Sequence, residues 1–123
     1  MAMLLEGLTV LVVEDEVLVA WHLEQILLEA GCTVLGPMAT VEDALKLLCE
    51  ITPAAALLDV QLLNGMITPV AEWLRASGIP FVLVSAYTGP ELQKPALVKA
   101  PSVAKPVSQP HLLDALVKAV QVS

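Results

Sequence analysis

The sequence predicts an α/β fold, a three-layer sandwich in which one five-stranded parallel sheet lies between two layers of helices. Strand-like apolar runs alternate with helix-like amphipathic segments along the 123 residues, which favours right-handed crossovers and a parallel sheet. Residues 54–58 form an unbroken apolar run, which is typical of a strand buried on both faces. The length fits a single domain over residues 1–123, and we expect no second domain.

Five short runs of apolar and β-branched residues predict the strands of this sheet. They are residues 8–13, 32–35, 54–58, 81–85 and 102–106. Apolar residues at helical spacing predict helices after the first, second, third and fifth runs. Thr40 opens a capping box, Pro69 fits a first helical turn, and Ser108 can cap the last helix. Trp21 and Trp73 have aliphatic neighbours at helical spacing and are expected in the core.

The segment between the fourth and fifth strands, residues 87–101, contains three prolines. A proline inside a helix costs about 3 kcal/mol or more. We therefore expect a short or missing helix here, and low local stability.

The acidic, apolar composition argues against several classes of function. A formal net charge of −7, with only six Lys or Arg residues, leaves no basic stripe for direct binding to nucleic acid. With 57% hydrophobic and 15% charged residues, the surface must expose apolar area, which favours a protein partner or a homodimer. No apolar run approaches a membrane span and no secretory signal opens the chain, so we expect a cytoplasmic protein. Cys32 and Cys49 are expected to be buried free thiols.

Polar side chains collect where the predicted strands end. They are Glu14 and Asp15 after the first strand, Asp59 after the third, Ser85 after the fourth and Lys105 after the fifth. The carboxyl ends of parallel strands share one edge, where ligands bind. Asp59 alone could instead cap a helix. Three carboxylates at one edge repel each other unless a cation compensates, and a hard dication such as Mg²⁺ fits that need.

Together these residues resemble the receiver domains of bacterial two-component response regulators, and the resemblance covers essentially the whole chain. It rests on Glu14-Asp15, Asp59, Ser85 and Lys105-Pro106, each at the end of its own strand. The resemblance implies a flavodoxin-like, doubly wound sheet with strand order 2-1-3-4-5. It also implies a stand-alone signalling switch, not an enzyme with a separate substrate.

The resemblance assigns the phosphoryl chemistry to Asp59. This residue would accept a phosphoryl group from the phosphohistidine of a sensor histidine kinase or a histidine phosphotransfer protein. Asp15, Asp59 and the backbone carbonyl of Gln61 would bind Mg²⁺ directly, and Glu14 would act through water. Lys105 would contribute positive charge to the transferred oxygens.

Three further roles follow from the same resemblance. Ser85 would donate a hydrogen bond to the phosphoryl group, and Pro106 would follow a cis peptide bond that directs Lys105 inward. Ser102 stands where many receivers place an aromatic switch residue, so Tyr87 would take over that role. Movement of Ser85 and Tyr87 would then reorder residues 87–101 and signal to a downstream protein. The rival prediction is that signalling uses the final helix alone.

Two other function classes remain as alternatives. A haloacid-dehalogenase-like phosphohydrolase also forms an aspartyl phosphate, but it needs a second Asp two residues after the nucleophile, where this chain has Gln61. A receiver-like binding module that is never phosphorylated would not need the complete set of strand-end residues. Nucleotide-binding glycine motifs do not occur in the sequence.

Overall fold

The structure is a computed structural model that describes residues 5–62, 65–86, 97 and 100–121. Its strands are β1 (Thr9–Val13), β2 (Thr33–Met38), β3 (Ala55–Asp59), β4 (Gln61–Leu62), β5 (Gly65–Met66), β6 (Phe81–Ser85) and β7 (Ser102–Ala104). The helices assigned within those residues are α1 (Val17–Glu29), α2 (Val41–Glu50), α3 (Thr68–Ala76) and α4 (Gln109–Gln121).

Five strands form one sheet in the order β2-β1-β3-β6-β7. Every neighbouring pair in it is parallel. Numbered along the chain, these strands have the order 2-1-3-4-5, so the predicted doubly wound fold is confirmed. The short antiparallel pair β4-β5 forms a second sheet that the sequence did not predict.

The helices cover both faces of the sheet and bury two apolar layers. One layer joins α1 and α4 to the strands, with Leu23, Leu27 and Leu116 among its buried residues. The other joins α2 and α3 to the opposite face, with Leu48 and Leu74. Each fully buried aliphatic side chain contributes roughly 1.5–3 kcal/mol. The predicted three-layer sandwich is therefore the arrangement that buries both faces of the central strands.

The helix starts follow the predicted capping chemistry. The Thr40 hydroxyl accepts a hydrogen bond from the Asp43 amide at 3.0 Å, and the Ser108 hydroxyl accepts one from the His111 amide at 3.4 Å. Pro69 lies in the first turn of α3. Each interaction satisfies or removes a backbone donor that a helix start would otherwise leave without a partner.

Both tryptophans were wrongly predicted in the core, since Trp21 is 58% and Trp73 40% exposed. Successive helical residues are rotated by about 100° about the helix axis, so Trp21 lies on nearly the opposite face of α1 from the buried Leu23. Trp73 is likewise turned away from its buried neighbour Leu74. Cys49, predicted as buried, is exposed on α2, whereas Cys32 is buried as predicted.

Strand β2 is longer than predicted because it continues through Gly36 and Pro37 to Met38. Gly36 has a φ of +100°, and a Cβ there would lie 2.7 Å from the Met38 amide nitrogen and 2.8 Å from the Val12 carbonyl oxygen. The Gly36–Pro37 peptide is cis. A register shift accompanies this bulge, and an edge strand tolerates the proline. The extension lets the Met38 carbonyl accept a hydrogen bond from the Glu14 amide at 2.9 Å.

Most of the proline-containing segment lies outside the described residues, so its predicted short helix stays a prediction. Within it, Leu97 is buried. None of the described helices combines the length and apolar character that crossing a membrane requires.

Candidate functional site: an acidic pocket at the carboxyl edge of the sheet

The site forms where β1, β3, β6 and β7 end side by side. Asp59 pairs with Val84 across β3 and β6, and Ser85 pairs with Ala104 across β6 and β7. Glu14 directly follows β1, and its side chain, like those of Asp59 and Ser85, is buried. The parallel register therefore places buried polar groups from three adjacent strands at one edge.

Glu14, Asp15 and Asp59 can converge on a metal ion. Each offers one carboxylate oxygen, and these oxygens lie within 4.8 Å of one another. Glu14 Oε1 is buried and makes no hydrogen bond. Hard carboxylate oxygens are the ligands that Mg²⁺ prefers. The donor set and the buried oxygen of Glu14 therefore fit the predicted ion.

The ammonium of Lys105 lies among the carboxylates of this pocket. Its Nζ is 3.2 Å from Glu14 Oε1, 3.6 Å from Asp59 Oδ1 and 3.0 Å from Glu16 Oε1. Its side chain is only 13% exposed. The charge of Lys105 therefore offsets part of the repulsion among the acids.

Burial raises the pKa of the Glu14 carboxyl to about 7 from its ordinary 4.5. The hydrogen bond that Glu14 accepts from the Glu16 amide lowers this pKa, whereas a hydrogen bond and charge repulsion from Asp59 raise it, and Lys105 lowers it. Desolvation penalises the charged form most. Glu14 therefore holds a proton near neutral pH more readily than an exposed glutamate.

Burial alone would lower the pKa of Lys105, but its carboxylate neighbours reverse the direction. The hydrogen bond to Glu16 and the charges of Asp59 and Glu14 together raise the pKa above its ordinary value. Lys105 therefore stays charged at the pH values at which a phosphorylated ligand would carry negative charge.

Backbone hydrogen bonds hold the strand ends that carry these side chains. The Val60 amide donates to the Val84 carbonyl at 3.1 Å, and the Lys105 amide donates to the Ser85 carbonyl at 3.0 Å. The Lys105–Pro106 peptide is cis. Each polar side chain therefore begins from a backbone that the sheet fixes.

The structure brings most of the predicted site residues to this edge. Glu14, Asp15, Asp59 and Lys105 form one cluster, and Ser85 ends the strand between those of Asp59 and Lys105. Gln61 lies in β4, and the predicted role of its carbonyl stays a prediction. The predicted switch residue Tyr87 lies outside the described residues.

Glu16 also belongs to this cluster, but no role was assigned to it from the sequence. It contacts Lys105, which lies 89 residues away in the chain. The available signal was its position directly after Glu14 and Asp15, at the same edge as Lys105.

No protein-family model matches this chain. The phyllosphere-induced regulator PhyR of Methylorubrum extorquens is 32% identical over 116 residues, covering 88% of this chain and 41% of the relative. The response regulator PhyR from Brucella abortus is 28% identical with a TM-score of 0.80, covering 94% of this chain and 49% of that structure. This chain thus spans about half the length, or less, of these two proteins.

A third similar protein matches over almost its full length. It is the signal receiver domain of a modulated diguanylate cyclase from Desulfovibrio desulfuricans G20, at 27% identity and a TM-score of 0.84. The superposition covers 95% of this chain and 96% of that structure.

Proposed function

Because the chain belongs to the receiver domains of response regulators, we propose that it is a phosphorylation-controlled switch in which Asp59 accepts the phosphoryl group. The donor would be the phosphohistidine of a sensor histidine kinase or a histidine phosphotransfer protein. The observation that carries this proposal is the buried Asp59 carboxylate, which lies beside two further acids and 3.6 Å from the Lys105 ammonium.

In the proposed reaction, an Asp59 carboxylate oxygen attacks the phosphorus of the donor. A new P–O bond forms while the P–N bond to histidine breaks, and the imidazole nitrogen keeps the electron pair and takes up a proton from solvent. The product is an aspartyl phosphate. A carboxylate can act in this way at neutral pH because it needs no base to remove a proton.

The other residues would position charge around the transferred group. Lys105 would pair with its oxygens, and Ser85 would donate a hydrogen bond to them. Asp15, Asp59 and the Gln61 carbonyl would hold Mg²⁺ directly and Glu14 would act through water, and the bound ion would supply charge neutralisation during the transfer. The convergence of the three carboxylates supports this assignment.

Signalling would then proceed through protein contacts, with a downstream partner still to be identified. Large apolar side chains at Val17, Leu18 and Trp21 are exposed, which supports binding of a protein partner or a second copy of the chain. We propose that residues 1–123 form one receiver domain that acts in the cytoplasm. Residues 87–101, with Tyr87, would carry the conformational change.

The two alternatives make different demands on the same pocket. A dehalogenase-like hydrolase would need an acid where Gln61 stands. In a module that is never phosphorylated, the buried carboxylates of Asp59 and Glu14 would have no function. Their desolvation would still lower the stability of the fold. Phosphorylation of Asp59 would be observed if the protein is a switch and would not be observed if it is such a module.

Intact-protein mass spectrometry after incubation with acetyl phosphate and Mg²⁺ tests the proposal. The parent and Asp114→Asn should gain the mass of one phosphoryl group, whereas Asp59→Asn should not. Asp114 is a suitable control because it lies on α4 and pairs with Lys118. Equal labelling of all three proteins would remove Asp59 from its assigned role.

A further inference from the structure

Glu16, which was assigned no role from the sequence, lies closer to Lys105 than Glu14 or Asp59 does. Its Oε1 accepts a hydrogen bond from Lys105 Nζ at 3.0 Å, whereas Asp59 Oδ1 lies 3.6 Å away, beyond hydrogen-bond distance. The Glu16 side chain is 62% exposed and that of Asp59 is 5% exposed. The ammonium is therefore drawn toward the mouth of the pocket and away from Asp59.

The backbone of Glu16 is held on both sides. Its amide donates to Glu14 Oε2 at 3.1 Å, and its carbonyl accepts from the Ala20 amide at 2.8 Å. Glu16 is the N-cap of α1, yet its side chain makes no capping hydrogen bond. The carboxylate is therefore directed to Lys105 from a fixed backbone, beside a helix N-terminus that favours its negative charge.

Glu14 contacts the same ammonium from the buried side of the pocket. Its Oε1 lies 3.2 Å from Lys105 Nζ. The Glu14 side chain is fully buried, whereas that of Glu16 is 62% exposed. Of the two glutamates, Glu16 is therefore the one that holds the ammonium toward the pocket mouth.

We propose that Glu16 is a positioning residue that holds the Lys105 ammonium at the pocket mouth, in competition with a phosphoryl group on Asp59. The inference rests on the proposed function of Asp59. To pair with the phosphoryl oxygens, the ammonium must loosen its hydrogen bond to Glu16, which offsets part of the new attraction. Removing the Glu16 charge should therefore favour phosphorylation.

The first test compares Glu16→Gln with Glu29→Gln, which removes the same charge from the far, exposed end of α1. Two quantities are measured in Mg²⁺: the rate of Asp59 labelling by acetyl phosphate and the calorimetric affinity for beryllofluoride, a phosphoryl mimic. Glu16→Gln should raise both by about two- to fivefold, the range for a partly exposed ion pair. Glu29→Gln should leave both unchanged.

The second test repeats the comparison in a Lys105→Gln background, where Glu16 has no ammonium to hold. There, Glu16→Gln should no longer change the affinity for beryllofluoride, because coupled residues are not additive. A gain that persists without Lys105, or a parent-like or lowered rate in Glu16→Gln alone, would overturn the inference. A parent that is never labelled would instead count first against the proposed function of Asp59.

Discussion

The interior of the sheet and its carboxyl edge belong to the same strands, yet they bury opposite kinds of side chain. Residues 55–58 of β3 are apolar and fully buried, and the next residue, Asp59, is a buried carboxylate. The same change occurs in β6, where Val84 is followed by Ser85. Burial of the interior residues adds stability, whereas burial of the edge carboxylates removes it. The edge therefore buries polar groups at the expense of stability, as the proposed binding of a cation and a phosphoryl group would require.

The largest expected effect lies in the interior. Leu57→Ala removes a fully buried side chain from the layer beneath α1 and α4 and should lower the free energy of unfolding by about 2–5 kcal/mol. Leu18→Ala, which truncates an 81% exposed leucine, should change it by less than about 0.5 kcal/mol. Urea unfolding of both variants measures the difference, and equal losses would refute the assignment of Leu57 to the core.

The second prediction concerns the bulge that connects the edge strand to the site. Gly36→Ala should lower the free energy of unfolding by about 2–4 kcal/mol. The new Cβ would clash with two backbone atoms, and the alanine would have to adopt the positive φ of this position. Gly78→Ala is the matched control, since its φ is +72° and its Cβ would meet nothing within 4 Å. Its loss should be about 1 kcal/mol.

Both glycine variants place an alanine at a positive φ, but only Gly36→Ala also adds a steric clash. The difference between their melting temperatures therefore measures the effect of the clash. Similar losses would mean that the bulge can relax around an added methyl group. In that case the hydrogen bond from Glu14 to Met38 would not depend on Gly36.

The strands could be predicted because their signal is local. An apolar run such as residues 54–58 predicts a buried strand without knowledge of its neighbours. The placement of Asp59 and Lys105 at the carboxyl edge followed from the alternation of elements, although the last strand ends at Ala104, just before Lys105. The course of β2 could not be predicted, because continuation through Pro37 depends on the neighbouring strand β1, where the register shifts between Leu11 and Val13, and on the edge position of β2.

The side-chain environment at the site was less predictable than its position. Helix α1 is apolar nearly all round, with Val17, Leu18 and Trp21 exposed beside buried residues, so periodicity did not identify its buried face. The contact between Glu16 and Lys105 joins residues far apart in sequence. Only the assembled sheet edge brings them together.

The third prediction concerns pH in the presence of a chelator. The pKa of Glu14 is about 7 in the folded protein and 4.5 ordinarily, so between these values the folded state holds more protons than the unfolded state. Stability from this group is therefore complete below about pH 4.5 and is lost as pH rises to about 7. The two values differ by about 2.5 and each pKa unit corresponds to about 1.4 kcal/mol, which sets a loss on the order of 3 kcal/mol.

Unfolding free energies measured from pH 4.5 to pH 8 test this prediction. Glu14→Gln should flatten the decline, because an amide does not titrate, whereas Glu29→Gln should keep the parent's slope. A parent whose stability rises across this interval, after subtraction of the Glu14→Gln curve, would contradict the assigned direction of the pKa shift.

The central claim, that the edge trades stability for cation and phosphoryl binding, is tested most directly by melting Asp59→Asn with and without Mg²⁺. In chelator this variant relieves repulsion with Glu14 and should melt above the parent by about 4 °C, equivalent to about 1 kcal/mol. In Asp59→Asn, Lys105 loses one carboxylate partner but keeps Glu14 and Glu16. The stability lost with that one ion pair is therefore small. Added Mg²⁺ should stabilise the parent and Asp114→Asn but hardly the variant. An Asp59→Asn protein that melts below the parent in chelator, or gains as much from Mg²⁺, would contradict the claim.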